Sequence, residues 1–210
     1  SVFRKIPIDT MVSYELPTGW NWFSINVKDE NLNNPVALLE SIKQSVVSVL
    51  GQEEDLVYDD QYGLYGSLTA FKPDRGYKVR VKEDVDFSLK GIPFAENEVT
   101  ITLNKGWNWM GYTPNMEMSV NAALCNLMAE EGDIVMAQDQ FATYDGAAWK
   151  GSLSVLAPGN AYLYYSGSVK SFNYPTGSSK MAIPMLSYRA SESYYLSLIH
   201  ISEPTRRSYI

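Results

Sequence analysis

The tetrapeptide Gly-Trp-Asn-Trp stands twice in this chain, within LPTGWNWFSINV (Leu16–Val27) and within LNKGWNWMGYTP (Leu103–Pro114), 87 positions apart. Four of the five tryptophans lie in it. A self-similarity at a fixed offset constrains architecture before any local element does, because each copy must be a folding unit of the same kind. The similarity runs well past the tryptophans. IPIDTMVSYELPTGWNW (Ile6–Trp22) is echoed by IPFAENEVTITLNKGWNW (Ile92–Trp109), and DLV at Asp55–Val57 by DIV at Asp133–Val135. YGSLTAFKPDRGYKV (Tyr65–Val79) pairs with WKGSLSVLAPGNAYLY (Trp149–Tyr164), and Phe87 with Phe172 at an offset of 85. The chain therefore divides into a first copy, 1–90, and a second, 91–177. Residues 178–195 begin a further domain or a third copy starting at Ile183-Pro184.

The end of the chain does not continue this pattern. LSLIHISEPTR (Leu196–Arg206) resembles the translation of the adaptor used in transposase-based sequencing libraries, so 196–210 is set aside as foreign to the fold. The only histidine, His200, lies in that run. Histidine-based acid–base chemistry thus has no base to draw on. Without Glu203, Arg206 and Arg207 the chain carries 15 basic and 23 acidic residues, a net charge of −8. That acidity argues against a nucleic-acid partner, which requires a basic face.

An apolar fraction of 45%, with 15 tyrosines, is a globular composition. The single cysteine, Cys125, cannot form an internal disulfide, and no Cys/His set has metal-ligand spacing. No run approaches the length of a membrane span, so membrane insertion is not expected, and SVFRKIPID carries no signal-peptide pattern.

Each copy reads as a small α+β unit: an antiparallel sheet with one helix. VSYELP and VTITLN alternate like strands that run into a turn, and Gly-Trp-Asn-Trp opens the next strand. In the first copy Asn34 caps a helix with Pro35 in its first turn, and Val36, Leu39, Ile42, Val46 and Leu50 follow at helical spacing up to Gly51. In the second, Ser119 caps a helix carrying Val120, Leu124, Leu127 and Met128, ending at Gly132. Cys125 falls on that helix and reads as a buried, inert thiol.

Strand alternation puts Trp20, Trp22, Ser24 and Asn26 on one face and Asn21, Phe23, Ile25 and Val27 on the other, the second face being core. Two roles are open for the tryptophans. Each pair can pack against the helix or a neighbouring strand. Alternatively, Trp20, Trp22, Trp107 and Trp109, with Trp149, Tyr65, Tyr144 or Tyr162, can present a platform to a sugar ring or an aromatic partner.

The order of leader strand, Gly-Trp-Asn-Trp, Asp-Ile/Leu-Val, aromatic before Gly-Ser-Leu, and Pro-x-x-x-Tyr resembles the repeated GWNWIS-type modules of large secreted or surface-anchored proteins of Bacteroidota. The resemblance covers nearly all of 6–175. The second copy departs from it at Gly111 and Tyr112, where the first has Ser24 and Ile25. The resemblance implies an extracellular or cell-surface location and a non-catalytic accessory role, whether spacer, adhesion or carbohydrate binding, or service to a secreted hydrolase or peptidase. Its implied partners are a polysaccharide or surface glycan and other domains of the same chain.

Chemistry-bearing constellations are thin. Glu53, Glu54, Asp55, Asp59 and Asp60 are clustered carboxylates, and glycosidases need two. The second copy replaces Tyr58-Asp59-Asp60 by Met136-Ala137-Gln138, and no Asp-x-Asp-x-Asp-Gly loop supports calcium, so a solvated turn is the ordinary reading. No phosphate-loop glycine spacing occurs. No catalytic, metal-binding or cofactor-binding residue is assigned, and no cofactor is expected.

Overall fold

A computed structural model describes residues 9–95 and 97–175, and the further domain or third copy expected at 178–195 lies outside them. The first half contains β1 (Thr10–Leu16), β2 (Gly19–Ser24), β3 (Val27–Lys28), α1 (Pro35–Leu38), β4 (Val46–Leu50), β5 (Asp55–Asp59), β6 (Gly63–Gly66), β7 (Gly76–Val81) and β8 (Val85–Pro93). The second contains β9 (Ile101–Leu103), β10 (Gly106–Met110), β11 (Met118–Ser119), α2 (Val120–Ala123), β12 (Ile134–Met136), β13 (Phe141–Tyr144), β14 (Trp149–Gly151), β15 (Val155–Leu156), β16 (Tyr162–Ser166) and β17 (Lys170–Phe172).

The fold is mostly β, which corrects the α+β expectation of one helix per copy. Each α-helix is four residues long. The expected caps do form: the Asn34 side chain accepts from Ala37 N at 3.2 Å, and Ser119 Oγ from Ala122 N at 3.2 Å. What fails is propagation. A 3-10 turn at Glu40–Ile42 follows α1, and the apolar spacing then runs on into β4 rather than continuing the helix. Val46, Val47 and Val49 are β-branched and stiff at χ1, which favours the pleated strand. In the second half, Leu124 and Leu127 bury themselves from successive turns, and Met128 and Cys125 are exposed, so the thiol is not buried as expected.

The two halves carry the same five-stranded antiparallel sheet. Its order is β2-β7-β4-β5-β6 in the first and β10-β16-β12-β13-β14 in the second. β1 and β8 pair beside the first sheet, and β9 and β17 beside the second. Each half has its own hydrophobic cluster: one holds Tyr14, Phe23, Phe71, Tyr77 and Phe87, the other Tyr112, Trp149, Tyr162, Tyr164 and Phe172.

The shared motifs have local causes. Tyr77 Oη accepts from Lys72 N at 2.7 Å and Tyr162 Oη from Ala157 N at 2.8 Å, so in Pro-x-x-x-Tyr the tyrosine fastens the residue just before the proline. Burial pushes the Tyr77 hydroxyl up to about 12. In Gly-Ser-Leu, a Cβ on Gly66 would stand 2.2 Å from Asp55 O, and one on Gly151 2.1 Å from Phe141 O. Asp55 is therefore the counterpart of Phe141 at the start of the fourth strand. The echo of DLV in DIV is thus displaced by one strand: DLV starts β5, whereas DIV runs into β12, the counterpart of β4.

Candidate functional site

Gly-Trp-Asn-Trp forms the edge strand of each five-stranded sheet. Gly19 (φ 107°) and Gly106 (φ 97°) take the left-handed conformation that turns the chain into the strand. The asparagine closes the turn behind it: Asn21 Nδ2 donates to Pro17 O at 2.7 Å, and Asn108 Nδ2 to Asn104 O at 2.8 Å. The outward face then carries the two tryptophans. Trp20 (40% exposed) and Trp107 (45%) stand in solvent, while Trp22 and Trp109 are half-buried.

Trp22 and Trp109 come together because the two halves pack through a reciprocal seam. Phe23 bridges to Asn160, and at the corresponding positions Met110 bridges to Arg75. Ser24 N donates to Gly159 O at 2.9 Å, as Gly111 N does to Asp74 O at 3.2 Å. Gln138 Nε2 donates to Trp20 O at 2.8 Å, as Gln52 Nε2 does to Trp107 O at 3.2 Å. Each of these contacts has a partner with the roles exchanged, the pattern of an isologous two-fold contact within one chain. On its axis Gly76 meets Ala161, where a Cβ on the glycine would lie 2.8 Å from the Ala161 Cβ.

One residue breaks the symmetry at the centre. Lys78 Nζ lies 4.4 Å from the Trp22 ring centre and 4.2 Å from that of Trp109, while its counterpart is Leu163. Burial lowers the Lys78 pKa, and the two indole rings hold its ammonium by cation–π attraction. The departure from serine at 111 also has a cause here. Ser24 Oγ donates to Asn160 O at 2.7 Å and accepts from Tyr112 N at 3.0 Å, whereas a Cβ on Gly111 would lie 2.2 Å from Pro73 O.

The candidate platform residues are thus dispersed. Trp20 stands opposite Arg80, and Trp107 stands against Tyr165, with ring centres 5.4 Å apart. Tyr65 is exposed on β6 beside Tyr62. Trp149 is buried between Tyr144 and Tyr164, and Tyr162 is buried as well, so neither can serve as a surface platform. The clustered acids serve turns: Asp59 Oδ1 accepts from Gln61 N and Tyr62 N, and Asp55 from Ser67 Oγ. Among the described residues no group of three His, Cys, Asp or Glu is placed to hold a metal, and no helix is long and apolar enough to cross a membrane.

A groove of about 300 Å³ opens along one side of the seam, between β1 and β2 of the first half and the Gln138 and Pro158–Asn160 turns of the second. Sequence reasoning missed its seam residues. The available signal was the pair Gln52 and Gln138, 86 positions apart and each in the turn after a corresponding strand.

No family model, curated protein or solved structure matches the chain.

Proposed function

We propose that this chain is a paired, non-catalytic accessory module of a larger bacterial secreted or cell-surface protein, acting as a structural spacer that also presents an adhesive surface. The observation that carries this reading is the reciprocal seam. It unites the Gly-Trp-Asn-Trp edge strands of both halves, so the motif serves to join two sheets into one body. Each edge strand is met by a turn and a glutamine of the other half, which covers part of an exposed strand edge, the usual route to unwanted association. The adhesive part rests on Trp20, Trp107 and Tyr165, large aromatic groups that stay in solvent beside a seam that could have covered them.

Calorimetry of the whole chain tests the spacer reading. One cooperative transition is expected for two halves unfolding together. Two well-separated transitions, each retaining half of the enthalpy, would show the halves to be independent beads and overturn it. The location is tested by the full reading frame of the gene, which is expected to encode a secretion signal and further surface modules; a self-contained cytosolic protein overturns it.

A further inference from the structure

The two sides of the seam are built from corresponding residues, yet they are closed to different degrees. On one side Gln52 uses both ends of its amide, donating to Trp107 O at 3.2 Å and accepting from Trp109 N at 2.9 Å. Its counterpart Gln138 uses only one, donating to Trp20 O. Gln138 Oε1 and the outward Trp22 N–H have no partner among the described residues.

A second difference points to the same place. Asn108 Oδ1 accepts from Asn104 N at 2.7 Å, but the residue corresponding to Asn104 is Pro17, which has no N–H to give. Asn21 Oδ1 is consequently left without a donor among the described residues. It is not sealed in the interior, since no buried side-chain oxygen or nitrogen lacks a partner. Asn21, Trp22 and Gln138 all line the 300 Å³ groove, together with Glu15, Pro158 and Asn160. At the corresponding place across the seam, Asn160 and Gly159 are replaced by the longer Arg75 and Asp74.

We infer that this groove is a binding site for a neutral saccharide, a mono- or disaccharide unit of a glycan. Its volume falls at the low end of ligand sites, about 300 Å³ upward. Its open groups mix donors, the Trp22 backbone N–H and the Asn160 side-chain amide, with acceptors, Gln138 Oε1, Asn21 Oδ1 and the Glu15 carboxylate. That set matches a ligand rich in hydroxyls, each of which can donate to an acceptor and accept from an N–H. An anion would face Glu15 and the amide oxygens. A hard cation would find only one carboxylate and a backbone N–H aimed at it. An added peptide strand would find Trp20 O, Ser24 N and Ser24 O already bonded, to Gln138, Gly159 and Tyr14, which breaks the continuous ladder it needs along β2. The inference deepens the adhesive part of the function proposed above and requires the seam, since both halves line the groove.

Saturation-transfer NMR of the whole chain with glucose, galactose, mannose, xylose, N-acetylglucosamine and their disaccharides, each at millimolar concentration, tests it, with calcium chloride as a separate arm. Binding by at least one sugar is expected. Asn160→Arg, which copies Arg75 into the groove, is expected to weaken that binding by about tenfold or more, or ~1.4 kcal/mol. Pro17→Asn supplies the N–H that Asn21 Oδ1 lacks and is expected to weaken it less, while Arg75→Asn across the seam leaves it unchanged. No sugar bound, a response to calcium alone, or binding unaffected by Asn160→Arg overturns the site. Hydrogen exchange at the Ser24 and Gly111 amides separates the two proposals. Protected amides without sugar binding sink the groove and leave the paired module standing; unprotected amides sink both.

Discussion

One corner of the sheet is solved in two chemically opposite ways. In the first half it holds Val46, Val81 and Val85, of which Val46 and Val81 are fully buried. In the second half the corresponding positions hold Asp133, Ser166 and Lys170. Asp133 is buried, accepts from Tyr164 Oη at 2.7 Å, from Glu130 N at 3.0 Å and from Gly167 N at 3.0 Å, and is ion-paired with Lys170. The lysine side chain is itself only 6% exposed. Burial pushes the Asp133 carboxyl up, and the hydrogen bonds from Glu130, Lys170, Tyr164 and Gly167 outweigh it, so the pKa lies below the usual carboxylate value. The same strand order, with a register shift between Val46 and Ser48 in the first half, therefore accepts either an apolar cluster or a fully bonded ion pair. What it cannot accept is half of a pair.

The largest expected effect follows from that. Asp133→Ala leaves the buried Lys170 with only the exposed Glu130 carboxylate at 3.4 Å and leaves the Tyr164 hydroxyl without its acceptor, and denaturant unfolding is expected to show a loss of about 3–5 kcal/mol. A loss below ~1 kcal/mol would mean that the network contributes nothing to specificity or stability, and the contrast between the halves would be accidental. At the seam, Gly111→Ala drives a methyl group against Pro73 O, and a loss of about 1–3 kcal/mol is expected from overpacking. Ser24, at the same place in the other half, already bears a side chain, so Ser24→Ala should cost only its two hydrogen bonds, about 1 kcal/mol each. If Gly111→Ala costs nothing, the geometric account of the Ser24 and Gly111 difference is wrong.

Lys78→Leu copies Leu163 across the seam and removes the ammonium between Trp22 and Trp109. A change of about 0.5–2 kcal/mol is expected from the lost cation–π contacts, partly offset by relief of burying a charge. Tryptophan fluorescence should shift in the same variant. Least destabilising of all is the triple substitution Asp133→Val, Ser166→Val and Lys170→Val, which gives the second half the first half's corner. It is expected to leave stability within about 1 kcal/mol or to raise it by up to ~4 kcal/mol. A triple variant as damaged as Asp133→Ala would refute the equivalence of the two corners.

Acid sharpens the same comparison. Because the folded pKa of Asp133 is depressed, its stabilisation is complete above the unfolded value, about 3.9. It is lost as pH falls through the folded value. The triple variant should lose less stability than the wild type over that acid range, measured by unfolding at stepped pH.

Much of the β framework was legible in sequence. The alternation in VSYELP and VTITLN, the turn glycines and the repeated motifs mark β1, β2, β9 and β10 directly, since a period of two and a left-handed turn are local properties. The caps at Asn34 and Ser119 were legible for the same reason. The helices were not, because Val36, Leu39, Ile42, Val46 and Leu50 satisfy a helical spacing that β-branched valines then override in β4. The candidate site was hidden more deeply. Trp149 reads like Trp20 as a letter, yet one is core and the other solvent-facing, a distinction set by which face of which sheet each reaches. The groove depends on a missing N–H at Pro17 and a half-used amide at Gln138, and these acquire meaning only when the two halves are set side by side.

The reciprocal seam carries a consequence for longer chains of this kind. A contact in which each half supplies both sides uses itself up: once Trp22 and Trp109 have met around Lys78, neither half has that face left to offer. A third module would find no such surface here and would need a partner of its own. Chains lengthened by such modules would grow in twos, stiff within each couple and hinged between couples, so their reach would be counted in pairs.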